Sequence, residues 1–313
     1  MTRIYRFFIL MLLLSAPFAA KGQSTNHSIF EHLIDTAGLR FHIEKLCSAE
    51  FAGRAAGTEG GAMAAAYIKE VLQRCGVSKR GLKYEQSFKN GNDTLTNIVG
   101  EINATSPSSE YIVLGAHYDH LGVIKEILYP GADDNASGIA ALLELAETFG
   151  KIRESGGKIP VNIIFLFFDG KEASMSGSKY FIGKFRIRSE NVRFMINLDQ
   201  LGSNMAPPHN NKEYMLVLGG MTDFEKRRLD ICNQLSDFKI DIDYTFYDSE
   251  KFYDLFYRLS DHYQFAKAGI KAFHFTSGIT GRTYKSSDTP DGIDYPLLEK
   301  RTRLIFRFIY SSF

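Results

Sequence analysis

The chain has 313 residues, with 37 Lys plus Arg against 36 Asp plus Glu. A charge so evenly balanced offers no basic face for nucleic acid and no footprint for an anionic membrane surface. Three cysteines (Cys47, Cys75 and Cys232) cannot all pair within one chain, so buried free thiols are expected, a Cys47–Cys75 bridge being the alternative in an oxidising compartment.

Arg3 and Arg6 precede an apolar run over 7–14, and small residues follow at Ser15, Ala19 and Ala20. This is the order of a secretory signal peptide occupying 1–23, cleaved between Ala20 and Gln23. The expectation is an exported protein, periplasmic or extracellular, with one domain over 24–313 and no membrane span once the signal is removed. Residues 29–47 and 60–75 read as amphipathic helices. The segment 48–61 between them is rich in Gly and Ala, with one exposed-looking arginine, Arg54. Strands follow at 82–88 and 95–103. Beyond them the pattern alternates: strand 111–116, helix 137–149, strand 161–168, helix 176–184, strand 194–198. Such alternation of apolar runs with helices predicts an α/β fold, a mostly parallel sheet covered on both faces. The stretch 202–260 is less regular, with a strand at 214–218, a helix at 224–235 and a lid-like excursion. A late strand at 271–275 and a closing helix at 296–310 complete the chain.

Polar residues gather where the strands run out: His117, Asp119 and His120, then Asp133 and Asp134, then Glu172, then Asp199. Ligands of open parallel sheets bind at the carboxyl ends of strands, and imidazole with carboxylates suits zinc. Singly, each has a plainer reading as a turn, cap or solvated loop residue. The Asn-x-Ser/Thr triplets, 135–137 among them, read as chance rather than glycosylation signals. Four such groups ending different strands of one sheet favour a site.

Six segments in order carry a resemblance: 46–61 (LCSAEFAGRAAGTEGG), 113–122 (VLGAHYDHLG), 131–138 (GADDNASG), 197–202 (NLDQLG), 260–265 (SDHYQF) and 288–295 (DTPDGIDY). They resemble metallopeptidase family twenty-eight, which includes bacterial leucyl aminopeptidases and the related glutaminyl cyclases. The resemblance implies a three-layer αβα architecture with a mostly parallel mixed central sheet, of the zinc-aminopeptidase, phosphorylase/hydrolase-like kind. It implies a first zinc site at His117, Asp134 and Asp199, with Asp119 holding the His117 ring. Asp134 would bridge to a second zinc bound by Glu172, the peptide after Asp134 would be strained or cis, and Asp261 would lie near Asp199.

Two departures stand against that pattern. The family carries paired glutamates after its strand, the first as general base; here the pair is Lys171 and Glu172. The family also places a zinc-binding histidine four residues before the aspartate of its closing Asp-Thr pair, and counting back from Asp288 gives Tyr284. A lysine ammonium, with a reference pKa of about 10.4, does not accept a proton at neutral pH. The expectation is that Lys171 replaces the second metal, pairing with Asp134 and Glu172 and leaving one zinc. A Tyr284 phenolate, or recruitment of His120, His262 or His274, is the alternative; aromatic packing is the plainer role for Tyr284. The functional expectation is an exported zinc-dependent aminopeptidase-like protein that takes a peptide or protein N-terminus in its cleft, with an impaired second site and no base. The alternative is a non-catalytic relative binding peptide, metal or a protein partner. Glutaminyl cyclase chemistry is disfavoured, because that subgroup uses the glutamate and histidine replaced here.

Overall fold

The computed structural model describes residues 30–205 and 213–313; the signal peptide expected over 1–23 lies outside them. Eleven strands are named among the described residues: β1 (Ser78–Lys79), β2 (Glu85–Asn90), β3 (Asp93–Ile102), β4 (Tyr111–His117), β5 (Gly122–Ile124), β6 (Ile127–Tyr129), β7 (Asn162–Phe168), β8 (Val192–Leu198), β9 (Tyr214–Gly219), β10 (Asp241–Asp243) and β11 (Ala272–Thr276). The helices used below are α1 (Thr36–Leu46), α2 (Glu59–Arg74), α3 (Gly138–Glu154), α4 (Ser176–Lys184), α5 (Asp223–Gln234), α6 (Glu250–Tyr257), α7 (His262–Lys267) and α8 (Tyr295–Tyr310).

Nine strands form one sheet in the order β1-β3-β7-β4-β8-β11-β9-β10, with β2 also on β3. The centre is parallel: β4 pairs with β7 and β8, and β8 with β11. The β3 and β9 pairings with β7 and β11 are antiparallel. Every residue of β7 is buried, which is why its sequence is a continuous apolar run rather than an alternation.

Side chains alternate across a strand, and the two faces carry separate cores. On one, Ile163, Phe165 and Phe167 of β7 pack with α1, α2, α3, α5 and α8. On the other, Ile164, Leu166 and Phe168 meet Phe181 of α4 and Phe265 of α7. Helices lie on both faces of a mostly parallel mixed sheet, so the three-layer α/β architecture is as expected.

The expected helix over 29–47 is divided. Asp35 is extended and its side chain accepts from Gly38 N at 2.8 Å, starting α1 afresh. Over the described residues of the stretch read as less regular, the expected strand and helix are present as β9 and α5. β9 lies inside the main sheet between β11 and β10, and the unforeseen α6 lays Tyr253, Phe256 and Tyr257 against Tyr214, Leu216 and Leu218 of β9.

Arg54 is not exposed. It is fully buried, donating to the carbonyls of Leu46, Tyr118, Pro130 and Gly131 at 2.7–3.0 Å. All three cysteines are free, with Cys47 and Cys232 buried and Cys75 partly so.

Candidate metal and active site

Parallel pairing delivers the carboxyl ends of β4, β7 and β8 to one edge. His117 is the last residue of β4, Asp199 follows β8, and Lys171 and Glu172 lie just beyond β7. His117 is wholly buried. Its Nε2 lies 3.4 Å from Asp134 Oδ1 and 3.3 Å from Asp199 Oδ1. Around a tetrahedral zinc with bonds of about 2.0–2.2 Å, ligand atoms sit roughly 3.3–3.6 Å apart. Both Asp134 oxygens are buried without a hydrogen-bond partner, as a metal-facing carboxylate leaves them. The donor set therefore fits one zinc ion.

Asp119 holds the His117 ring differently from the expectation. Nδ1 of His117 meets the Asp119 backbone carbonyl at 3.0 Å, whereas the nearest carboxylate oxygen is 3.7 Å away. That carboxylate instead accepts the backbone N–H groups of Lys171 and Glu172 at 2.9 and 3.0 Å, fixing the loop after β7 against the end of β4. Ser260 donates to Asp199 Oδ2 at 2.6 Å. Its neighbour Asp261 is fully buried, and burial pushes its carboxyl up to about 6.

The sequence does not disclose how two further residues position this site. Asn135, whose peptide bond with Asp134 is cis, donates to the carbonyls of His117 and Leu198 at 3.2 and 2.9 Å. It thereby ties the ends of β4 and β8 at the separation that brings His117 to Asp199. A buried asparagine so engaged is no glycosylation acceptor. Asp288 accepts the N–H groups of Asp133 and Asp134 at 2.9 and 3.0 Å, so a residue near the chain's end holds the loop that carries Asp134. The Asp288-Thr289 pair was visible in the sequence as part of a matching segment; its hydrogen bonds were not.

Beside Asp134, the ammonium of Lys171 stands 2.8 Å from Glu172 Oε1, 3.8 Å from Asp134 Oδ1 and 3.1 Å from the Tyr284 hydroxyl. Burial alone would lower its pKa, but Asp134, Asp199 and Glu172 outweigh that and hold it well above the ordinary lysine value. Lys171 thus stands among carboxylates that favour its charged form. Tyr284 stacks on the His120 ring, with centroids 6.3 Å apart and planes 12° off parallel. His262 and His274 stack on each other at 4.6 Å, and His274 Nδ1 meets Asn197; among the described residues neither joins a metal-competent group.

A mostly parallel sheet that gathers an imidazole and carboxylates at its strand ends has the build of an α/β metallohydrolase. The model of peptidase family M28 matches residues 97–309, and the chain belongs to that family. It is similar to a probable zinc metalloprotease of Pyrenophora tritici-repentis, 33% identical over 125 residues, covering 37% of this chain and 27% of the relative. It is also similar to a probable leucine aminopeptidase of Arthroderma otae, 27% identical over 212 residues, covering 65% and 54%. The alignments thus span about a quarter to a half of those relatives. In fold it matches LapB of Legionella pneumophila at TM-score 0.71 and 24% identity, covering 92% of this chain and 75% of that one.

Proposed function

We propose that this chain is an exported single-zinc relative of the aminopeptidases that takes peptide N-termini in its cleft and turns them over poorly. The observation that carries this reading is the Lys171 ammonium, 2.8 Å from Glu172 and 3.8 Å from Asp134. His117, Asp134 and Asp199 would hold the zinc, and when bound it would supply Lewis-acid polarisation of the scissile carbonyl and a more acidic water. Asp119 and Asn135 keep the ligands in register. What the chain lacks is a group to move the proton. Peptide hydrolysis needs a base that takes a proton from water and returns it to the leaving amine, a contribution typically of 10²–10⁴-fold. Lys171 stands where that base is needed and is already protonated. Tyr284 keeps its hydroxyl on the Lys171 ammonium, where it steadies the cation instead of ligating.

Purified protein assayed with aminoacyl chromogenic substrates tests the reading. The parent is expected to be close to silent, and Lys171→Glu with Tyr284→His to raise kcat by about 10²-fold or more. Robust parental turnover, abolished both by chelator and by Asp199→Ala, would overturn it.

A further inference from the structure

His120 plays no part in the first zinc site, yet it is built into this cluster. Its backbone N–H donates to the Arg54 carbonyl at 3.1 Å, and its ring is buried between Tyr284 and Gly131. A side chain at 131 would come within 2.5 Å of that ring, so only glycine leaves it room. The ring is 2% exposed, and both of its nitrogens lack any hydrogen-bond partner. A buried imidazole ordinarily donates from one nitrogen and accepts at the other, so an imidazole with neither bond needs an explanation.

Its surroundings supply one. Ligand atoms of His120, Asp134 and Glu172 all lie within 4.8 Å of one another. An imidazole and two carboxylates suit a borderline divalent cation such as zinc. The cation already among them is the Lys171 ammonium, paired to Glu172 and Asp134. Being tethered, it competes at an effective concentration that a free ion must overcome.

We propose that His120, Asp134 and Glu172 form a latent second divalent-metal site, that His120 supplies its imidazole in place of the residue at 284, and that Lys171 keeps it closed. This rests on the single-zinc reading only for the wild-type count. The side chain of Lys171 is in effect a removable occupant.

Metal content separates the two claims. Wild type, Lys171→Met and Lys171→Met with His120→Phe are refolded with zinc, desalted and counted by elemental analysis. The expected counts per chain are one, two and one. The increment from wild type to Lys171→Met tests the latent site, and the wild-type count tests the single-zinc reading. No increment overturns the latent site, as does an increment that survives His120→Phe, which would show another ligand at work. Two ions in wild type overturn both claims, because Lys171 would then exclude nothing. None in wild type but one in Lys171→Met, lost again with His120→Phe, overturns the single-zinc reading and supports the latent site. If Lys171→Met fails to fold, Lys171→Gln keeps a polar partner for Glu172 while removing the charge, and is read the same way.

Discussion

Arg54 carries a full charge into the interior and meets no carboxylate within ion-pair distance among the described residues; its guanidinium is distributed over four carbonyl oxygens. Those carbonyls belong to the end of α1, the loop after β4 and the start of the Asp134 loop, so one side chain joins three parts of the site's floor. Arg54→Ala leaves the Leu46 and Tyr118 carbonyls without a donor, while Gly131 keeps the Ala136 N–H and Pro130 the Cys47 thiol, and unfolding in urea is expected to require roughly 2–4 kcal/mol less. Arg54→Lys keeps the charge but not the planar fork and is expected to recover less than half of that loss. A deficit under about 1 kcal/mol in the alanine variant would refute the role. The two departures at this scale, Lys171 and Tyr284, were legible because each stands where a recognisable motif expects something else. Arg54 and Asn135 were not. Their partners lie up to 77 and 65 positions away, and a hydrogen-bonding role at that range leaves no mark in the neighbouring sequence.

At the level of elements, α1 and α3 enclose an unusual pair: His42 Nε2 lies 3.8 Å from Glu144 Oε1, both almost fully buried. Burial moves the two in opposite senses, lowering the His42 pKa to about 4 and raising that of Glu144 to about 8. Because the folded Glu144 carboxyl has the raised pKa, its contribution is fully present below the unfolded value of about 4.5 and is lost as pH rises through about 8. His42 behaves conversely, disfavouring the fold as pH falls from about 6.5 through about 4. Glu144→Gln should therefore change little at pH 5 and raise Tm by about 5 °C or more at pH 9. An equal shift at both values would sink the explanation. The long central strands and α3 were plain in the sequence because burial on all sides demands uninterrupted apolar runs. After Gly202 the strand β9 and helix α5 were legible, but the place of β9, antiparallel to β11 within the main sheet, was not, and α6, eight residues without one that is fully buried, is too short for a period to declare itself. The break at Asp35 was hidden because a capping aspartate inside an apolar pattern reads as one more polar face residue.

For the molecule as a whole, the reading of an exported protein is checked at the first residues. Expressed from Met1 in a secreting bacterial host, the protein is expected to lose residues up to a point between Ala20 and Gln23, seen in the intact mass. A product still carrying Met1 would contradict export by cleavage. Zinc that binds only the folded state adds stability by mass action, so chelation should lower Tm in the parent and not in Asp199→Asn; equal lowering in both would place the metal elsewhere. The Asp288 clamp adds a constraint of timing. The loop bearing Asp134 is fixed by a carboxylate 154 positions further along, and Ala132 N also donates to the Asp288 carbonyl. A nascent chain that has not yet reached Asp288 already contains His117, Asp134 and Asp199 but lacks the carboxylate that fixes the loop bearing Asp134. On the single-zinc proposal, metal capture is expected to come late in synthesis, and a copy cut before Asp288 should bind zinc more weakly by equilibrium dialysis than the chain that carries it.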